Sequence, residues 1–333
     1  MTHVFPSDTI SERCVSEQQK GGHELIAIVT GESGFIGRVL RRELEAAGWT
    51  VHGLSAGSSD LNAVDIDICS SDVEELFRDL APDIVFHLAG ISGPMLAADQ
   101  PTEIVRVNCE GTANVLESAA RAKTPRVVYA ASVSAYAVGT TTRPEPDSLY
   151  ATTKKYGEIL IDLYRRRLGN GYTSVRVGSV YGPGRQTSNP IHTMIDDGLR
   201  GRPVRFNVNE YEPVIWIDDC ARLLAGLSAV PHYESAYDAV AEMVGHTEIA
   251  YRISSLLGVP TEPYEGKRVD YPAGFDSSAL VKATTVIPEV TLQDGIERAI
   301  RWRKAELDTY TPIANGTDHG RDGSKLNAGA NHD

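Results

Sequence analysis

The chain has 333 residues, 41% of them hydrophobic, which is enough for one large domain or two ordinary ones around a buried core. Lys and Arg total 32 against 45 Asp and Glu, a formal charge of -13; this argues against a nucleic-acid binder, which needs a basic surface, yet leaves room for a local pocket for one phosphorylated ligand. No apolar run reaches the roughly 18 to 20 residues of a membrane span, and residues 1–22 lack the apolar centre of a signal peptide, so the chain reads as soluble, cytoplasmic and without a membrane partner.

In chain order, residues 1–23 are polar and aperiodic and read as a flexible N-terminal tail. Short apolar runs follow at Leu25–Thr30, Thr50–Leu54, Asp83–Ala89, Arg126–Ser132 and Ser174–Gly178, each trailed by a turn and an amphipathic segment. That alternation predicts a doubly wound α/β fold on a parallel sheet over residues 24–182. The first helix carries Ile36, Val39, Leu40, Leu44 and Ala47 on one face and stops at Gly48. A second starts at Pro101 and runs through Val105, Val107, Val115, Leu116 and Ala119. A third carries Tyr150, Lys154, Ile159, Leu160 and Leu163 and ends at Gly169. After Gly182 prolines break the rhythm, so residues 183–310 read mainly as a smaller, partly discontinuous substrate-binding lobe, part of it returning to the first domain and closed by a helix over Leu292–Leu307. Residues 311–333 read as a flexible C-terminal tail. Cys14, Cys69, Cys109 and Cys220 show neither disulfide nor zinc spacing, and no metal is expected.

Three segments carry chemistry. Leu25–Thr30 runs into GESGFIG, where Gly31, Gly34 and Gly37 let backbone N–H groups approach a pyrophosphate at a helix N-terminus, as in a Rossmann-type fold. Asp67 stands where a carboxylate can accept from an adenine amino group or cap a helix, Ala89 and Gly90 are small enough to let a dinucleotide pass, and His87 reads as a core histidine. Tyr150 and Lys154 are four apart on a helix, so phenol and ammonium share a face. A fixed positive charge brings a phenol, ordinarily with a pKa of about 10, towards the range useful for acid and base catalysis. Ser132 ends the preceding strand, on the side where open parallel sheets bind ligands.

These pieces resemble the extended short-chain dehydrogenases/reductases, the nucleotide-sugar epimerase and dehydratase group, over residues 25–307. The resemblance rests on TGESGFIG, DIVFHLAG, VNCEGTANVLE, YAASVSAY, YATTK, VRVGSVYGPG and WIDDCARLL, in that order, with FDSSALVK and TLQDGIERAIRW closing the chain. It implies that residues 24–182 bind NAD(P), with Gly31, Gly34 and Gly37 at the pyrophosphate and Phe35 and Ile36 packed on it. Asp67 and Ile68 would hold the adenine, and Leu88, Ala89 and Gly90 would line the dinucleotide. Lys154 would bind the nicotinamide ribose and tune Tyr150, while Ser132 would hold the substrate oxygen whose proton Tyr150 takes. Ser92, Ser134, Ser179 and Arg185 are the further substrate-binding candidates, and Asn108 occupies the family's Asn position on the central helix. A homodimer through the helices from Pro101 and Ser148 is also implied.

Departures from the family pattern shape the expected reaction. Dehydratases of the group carry an acidic pair after the Ser/Thr, but Val133 and Ser134 follow Ser132, which speaks against 4,6-dehydration. Ser179 replaces an Asn, and Glu212 replaces an Arg, both of which in relatives help to hold a substrate diphosphate; Arg185 and Arg205 are candidate replacements. The loop Gly53–Asp60 has neither the acid of NAD users nor a base, and Arg38 or Asp60 can tip the choice; NAD is expected because the loop lacks Arg and Lys, with NADP open. The leading reading is an NAD-dependent epimerase of a sugar or nucleotide sugar, and the alternative a dehydrogenase or ketoreductase of a sugar-like secondary alcohol. A non-catalytic dinucleotide sensor would have little use for Ser132, Tyr150 and Lys154 together.

Overall fold

The apolar runs become strands of one parallel sheet. A computed structural model describes residues 24–57, 63–92, 100–136, 146, 148–266, 271 and 274–310; both tails, Cys14 and Asp60 lie outside them. The first elements are β1 (Ile26–Thr30), α1 (Phe35–Ala46), β2 (Thr50–Leu54), β3 (Ala63–Val64), α2 (Asp72–Leu80), β4 (Ile84–His87), α3 (Pro101–Val105), α4 (Thr112–Arg121), β5 (Val127–Ser132), α5 (Leu149–Leu168) and β6 (Tyr172–Val177). Then follow β7 (Ser179–Tyr181), α6 (Pro190–Leu199), β8 (Val204–Asn207), β9 (Tyr211–Trp216), α7 (Ile217–Gly226), β10 (Ala236–Ala239), β11 (Glu242–Gly245), α8 (His246–Leu257), β12 (Thr261–Tyr264), α9 (Ser278–Thr284) and α10 (Leu292–Tyr310).

Among the described residues seven strands pair in the order β10-β6-β5-β4-β1-β2-β3, all parallel. The order reverses between β1 and β4, which opens a crevice at their carboxyl ends. Successive residues of β1 serve opposite faces: Ala27 and Val29 pack in the cluster that holds Leu40 and Leu44 of α1, and Ile28 in the one that holds Val115 and Leu116 of α4. Both faces of the sheet are therefore covered, which is why its central strands are mainly apolar, with buried polar residues such as Thr30 and His87 hydrogen-bonded inside. Gly48 ends α1 with a φ of 84°, a conformation open to glycine at little steric cost.

Two helices depart from the simple amphipathic pattern. The segment from Pro101 is not one regular helix, because a π-helical turn over Arg106–Gly111 separates α3 from α4. The Thr112 hydroxyl donates to the Asn108 carbonyl at 2.6 Å there, and Gly111 lets the turn approach Ile68, since a β-carbon at 111 would lie 2.6 Å from its side chain. On α5 the inward face carries Ala151, Lys154, Gly157 and Ile161, while Ile159 and Leu163 are 54% and 47% exposed.

Beyond β6, β11-β9-β7 form one small sheet and β12-β8 another. β10 leaves that region to extend the large sheet beside β6, and α7 packs on α1, so the later part of the chain also buttresses the first domain. No helix among the described residues is long and apolar enough to cross a membrane.

Candidate active site

A cleft of about 670 Å³ opens over the carboxyl ends of β1, β4, β5 and β6. Its floor begins at the glycine turn. Gly31 has a φ of +70°, and a β-carbon there would lie 2.7 Å from the Ala89 nitrogen; one on Gly37 would lie 2.3 Å from the Gly31 carbonyl oxygen. The turn delivers Gly34 as the N-cap of α1, with no side-chain cap and no acidic residue in the first turn. Uncapped N–H groups and the positive end of the helix dipole thus meet the cleft, an arrangement that fits the pyrophosphate of a dinucleotide. Phe35 and Ile36 line the same stretch, and Leu88, Ala89 and Gly90 line the wall that continues from β4.

Asp67 and Ile68 also line this cleft. Asp67 does not cap α2, whose N-cap is Ser71. One of its oxygens accepts from the Cys69 N–H and the other from Arg106, both at 2.9 Å, and these bonds hold its carboxyl below the usual carboxylate range. Arg106 is further tied to Glu103 at 2.7 Å.

Behind the floor lies a directional hydrogen-bond chain. The Thr112 hydroxyl donates to the Asn108 carbonyl, so it can only accept from His87 Nε2, at 3.0 Å. His87 Nδ1 is then the acceptor for the Thr30 hydroxyl at 2.7 Å, and Thr30 Oγ1 accepts the Ala89 N–H at 3.2 Å. Asn108 carries the chain forward: its amide donates to Thr153 Oγ1 at 3.0 Å, and its Oδ1 accepts from the Ile91 N–H at 2.7 Å. A buried neutral histidine thereby joins β1, β4 and the π turn. Burial, helped by the charge of Lys154, pushes its pKa down to about 3, and burial takes His192 to about 4.

Both shifts carry a stability consequence. An unfolded histidine takes its proton near 6.5, so between that pH and the folded values the unfolded chain binds more protons. The contribution is complete above the unfolded value and is lost as pH falls towards the folded ones. The thermal midpoint is expected to fall from pH 6.5 to 4, and His87→Gln to flatten that slope; an unchanged slope in the variant would remove His87 from the account.

At the centre of the cleft Ser132, Tyr150 and Lys154 come together. Lys154 Nζ donates to the Ala130 carbonyl at 2.8 Å and stands 6.0 Å from the centre of the Tyr150 ring. Burial pushes the Lys154 ammonium down to about 8. Burial also raises the Tyr150 phenol, opposed by its hydrogen bond with Ser132 and by the charge of Arg185. Ser132 Oγ lies 2.8 Å from Ser134 Oγ, so two hydroxyls stand side by side in the cleft. The turn after Ser132 is tied to α5 by Tyr136, which donates to Glu158 at 2.6 Å. A phenol, a buried ammonium and a serine hydroxyl so arranged can exchange a proton with a secondary alcohol.

Ser92, Ser179, Arg185 and Glu212 also line the cleft. Ser179 Oγ accepts from Asn189 at 2.9 Å. Arg185 donates to the carbonyls of Val180, Thr187 and Ser188 at 2.6, 3.2 and 3.3 Å, so much of its hydrogen-bonding fork is engaged by its own loop. Arg205 pairs with Glu262 away from the cleft, and Arg38 donates to the Gly184 carbonyl. Glu212 is only 9% exposed and lies 3.3 Å from His246 Nε2, while His246 Nδ1 lies 3.6 Å from Glu210. Sequence reasoning missed His246, because only the antiparallel pairing of β11 with β9 brings it there.

The chain is similar in sequence and fold to known proteins. The model of the NAD dependent epimerase/dehydratase family matches residues 27–235. The dTDP-4-dehydro-6-deoxy-D-allose reductase of a Streptomyces species is 28% identical over 83% of this chain and 95% of its own length. The UDP-glucose 4-epimerase of Mycolicibacterium smegmatis is 31% identical over 47% of this chain and 56% of its own. In fold, the UDP-glucose 4-epimerase of Thermus thermophilus, crystallised with NAD, matches with a TM-score of 0.69 at 23% identity, over 84% of this chain and 99% of that one.

Proposed function

The chain belongs to the NAD dependent epimerase/dehydratase family, and on that premise we propose that it epimerises a sugar at a secondary alcohol through a transient keto intermediate. The observation that carries this reading is the meeting of Ser132, Tyr150 and Lys154 in the same cleft as the glycine turn. Gly31, Gly34, Phe35, Ile36 and Gly37 would hold the pyrophosphate of NAD, Asp67 and Ile68 the adenine end, and Leu88, Ala89 and Gly90 the length between. NAD supplies the acceptor and donor of hydride. Tyr150 removes the substrate hydroxyl proton as phenolate, Ser132 hydrogen-bonds the same oxygen, and the Lys154 ammonium steadies the phenolate charge and holds the nicotinamide ribose. Ser92, Ser134, Ser179 and Arg185 face the sugar. With hydroxyls and no acidic pair after Ser132, the site is not equipped to expel water.

A second reading, a dehydrogenase or ketoreductase that releases the keto or alcohol product, is favoured by the reductase relative, which matches along nearly its whole length. The two separate cleanly. Purified protein is incubated with a panel of free and nucleotide sugars without added cofactor, and products are read by NMR. An inverted stereocentre without accumulation of reduced nicotinamide is expected; reduced cofactor stoichiometric with a keto product would replace the epimerase by the dehydrogenase. The family reading also carries a homodimer, assembled through α3, α4 and α5, where Val105, Tyr156, Ile159 and Leu163 are exposed.

A further inference from the structure

The segment between β3 and α2 is held by the π turn and α4. The Asn114 amide donates to the carbonyls of Ile68 and Ser70, both at 2.8 Å, and the Cys69 thiol donates to the Arg106 carbonyl at 3.4 Å. A β-carbon on Gly111 would lie 3.2 Å from the same sulfur. The backbone therefore has little freedom where Asp67 and Ile68 line the cleft.

Arg106, the first residue of the π turn, adds a contact of another kind, because two carboxylates grip its guanidinium. Nε and Nη2 donate to the two oxygens of Glu103, on α3, at 2.9 and 2.7 Å, and Nη1 donates to Asp67 Oδ2 at 2.9 Å. The bidentate bond to Glu103 fixes the plane of the guanidinium, so its third donor reaches Asp67 from a set direction. Oδ1 of Asp67 takes the Cys69 N–H at 2.9 Å, and the carboxylate cannot rotate without losing a bond. Glu103, Arg106 and Asp67 all line the cleft.

The Asp67 side chain is still 41% exposed. A carboxylate offers about four acceptor sites, and these bonds fill two of them. An exocyclic amino group meets the open sites as a donor, whereas a carbonyl oxygen at the same place on a purine meets a negative acceptor and is repelled. Two carboxylates and one guanidinium leave the triad with a net negative charge, which acts in the same sense.

We propose that Arg106, held by Glu103, is the positioning residue that makes the cleft selective for the base of the dinucleotide: it pins the Asp67 carboxylate, which accepts from the adenine amino group and rejects a purine with a carbonyl there. The inference rests on the proposed function in placing the adenine of NAD at Asp67 and Ile68.

The test is calorimetric titration of the full chain, exchanged free of nucleotide, with NAD and with nicotinamide hypoxanthine dinucleotide, which has a carbonyl oxygen in place of the amino group. Wild type is expected to bind NAD about tenfold to a hundredfold more tightly, the range of one hydrogen bond to a charged group. Arg106→Met, which keeps an apolar stem without donors, is expected to lower that ratio about tenfold, chiefly by weakening NAD. Equal weakening of both ligands marks a guanidinium that merely packs against the base and overturns the proposal, as does wild type binding both alike. Asp67→Asn separates the two readings. A ratio lowered by Asp67→Asn but not by Arg106→Met keeps the adenine assignment and overturns the role of Arg106; a ratio unchanged by Asp67→Asn overturns both. Should Arg106→Met fail to fold, Glu103→Gln decides, because Glu103 is bonded to Asp67 only through Arg106: a lowered ratio is expected, and an unchanged one overturns the proposal. None of these titrations needs turnover, so a failure of hydride exchange strikes the epimerase reading and leaves this comparison intact.

Discussion

Replacing Tyr150 with Phe is expected to lower turnover by about 10²- to 10⁴-fold while NAD remains bound, the range that a positioned proton-transfer group contributes. The ring keeps its place on α5, whose N-cap Ser148 accepts from the Ala151 N–H at 3.2 Å and whose inward face is otherwise unchanged. Only the oxygen that meets Ser132 is lost. Lys154 does not take over its role. Its ammonium is bonded to the Ala130 carbonyl and loses its proton only as pH rises through about 8. The measurement is the rate of product formation alongside an NAD titration. Turnover that survives undiminished removes Tyr150 from the chemistry, and loss of both signals points to a folding defect instead.

Gly37→Ala should produce the largest effect away from the proton-transfer site. The added methyl would lie 2.3 Å from the Gly31 carbonyl oxygen and 2.7 Å from the α-carbon and carbonyl oxygen of Glu32. All three atoms are backbone, so no side chain can rotate aside. Relief requires the turn to open, which moves the N-terminus of α1 away from the position that suits a pyrophosphate. Destabilisation of about 1–3 kcal/mol is expected, the usual range for overpacking, together with loss of NAD affinity. Gly34→Ala is the graded comparison, since its methyl would stand 3.0 Å from the Gly31 carbonyl and the neighbour must give by much less. Chemical denaturation and NAD titration of both variants check the order, and equal behaviour of the two would contradict the steric argument.

The central strands, the glycine turn and the Tyr150–Lys154 pair were legible because each is a local pattern. An apolar run of strand length, a glycine where strand meets helix and a four-residue spacing on a helix need no knowledge of what packs against them. The cleft lined by Ser132, Tyr150 and Gly31 follows almost directly, since a parallel sheet brings the carboxyl ends of its strands to one edge. The π turn was not legible: the periodicity of Val105, Val107 and Val115 suits a continuous helix, and the Thr112 to Asn108 bond and the approach of Ile68 decide otherwise. Nor was the exposure of Ile159 and Leu163, whose face of α5 looked as apolar as a core face until the sheet took the opposite side.

The part of the cleft around Arg185 and Glu212 marks the same boundary more sharply. Composition and motif order pointed to the fold, the family and the spacing of Tyr150 and Lys154 on one helix, because these depend on the sequence of near neighbours. Only the tertiary structure decided that Arg185 turns its donors onto its own loop and that His246 meets Glu212, 34 residues away, across the β9–β11 pair. Residues so far apart meet through strand pairing and helix placement, which are set by the packing of the whole lobe and leave no periodic trace along the chain.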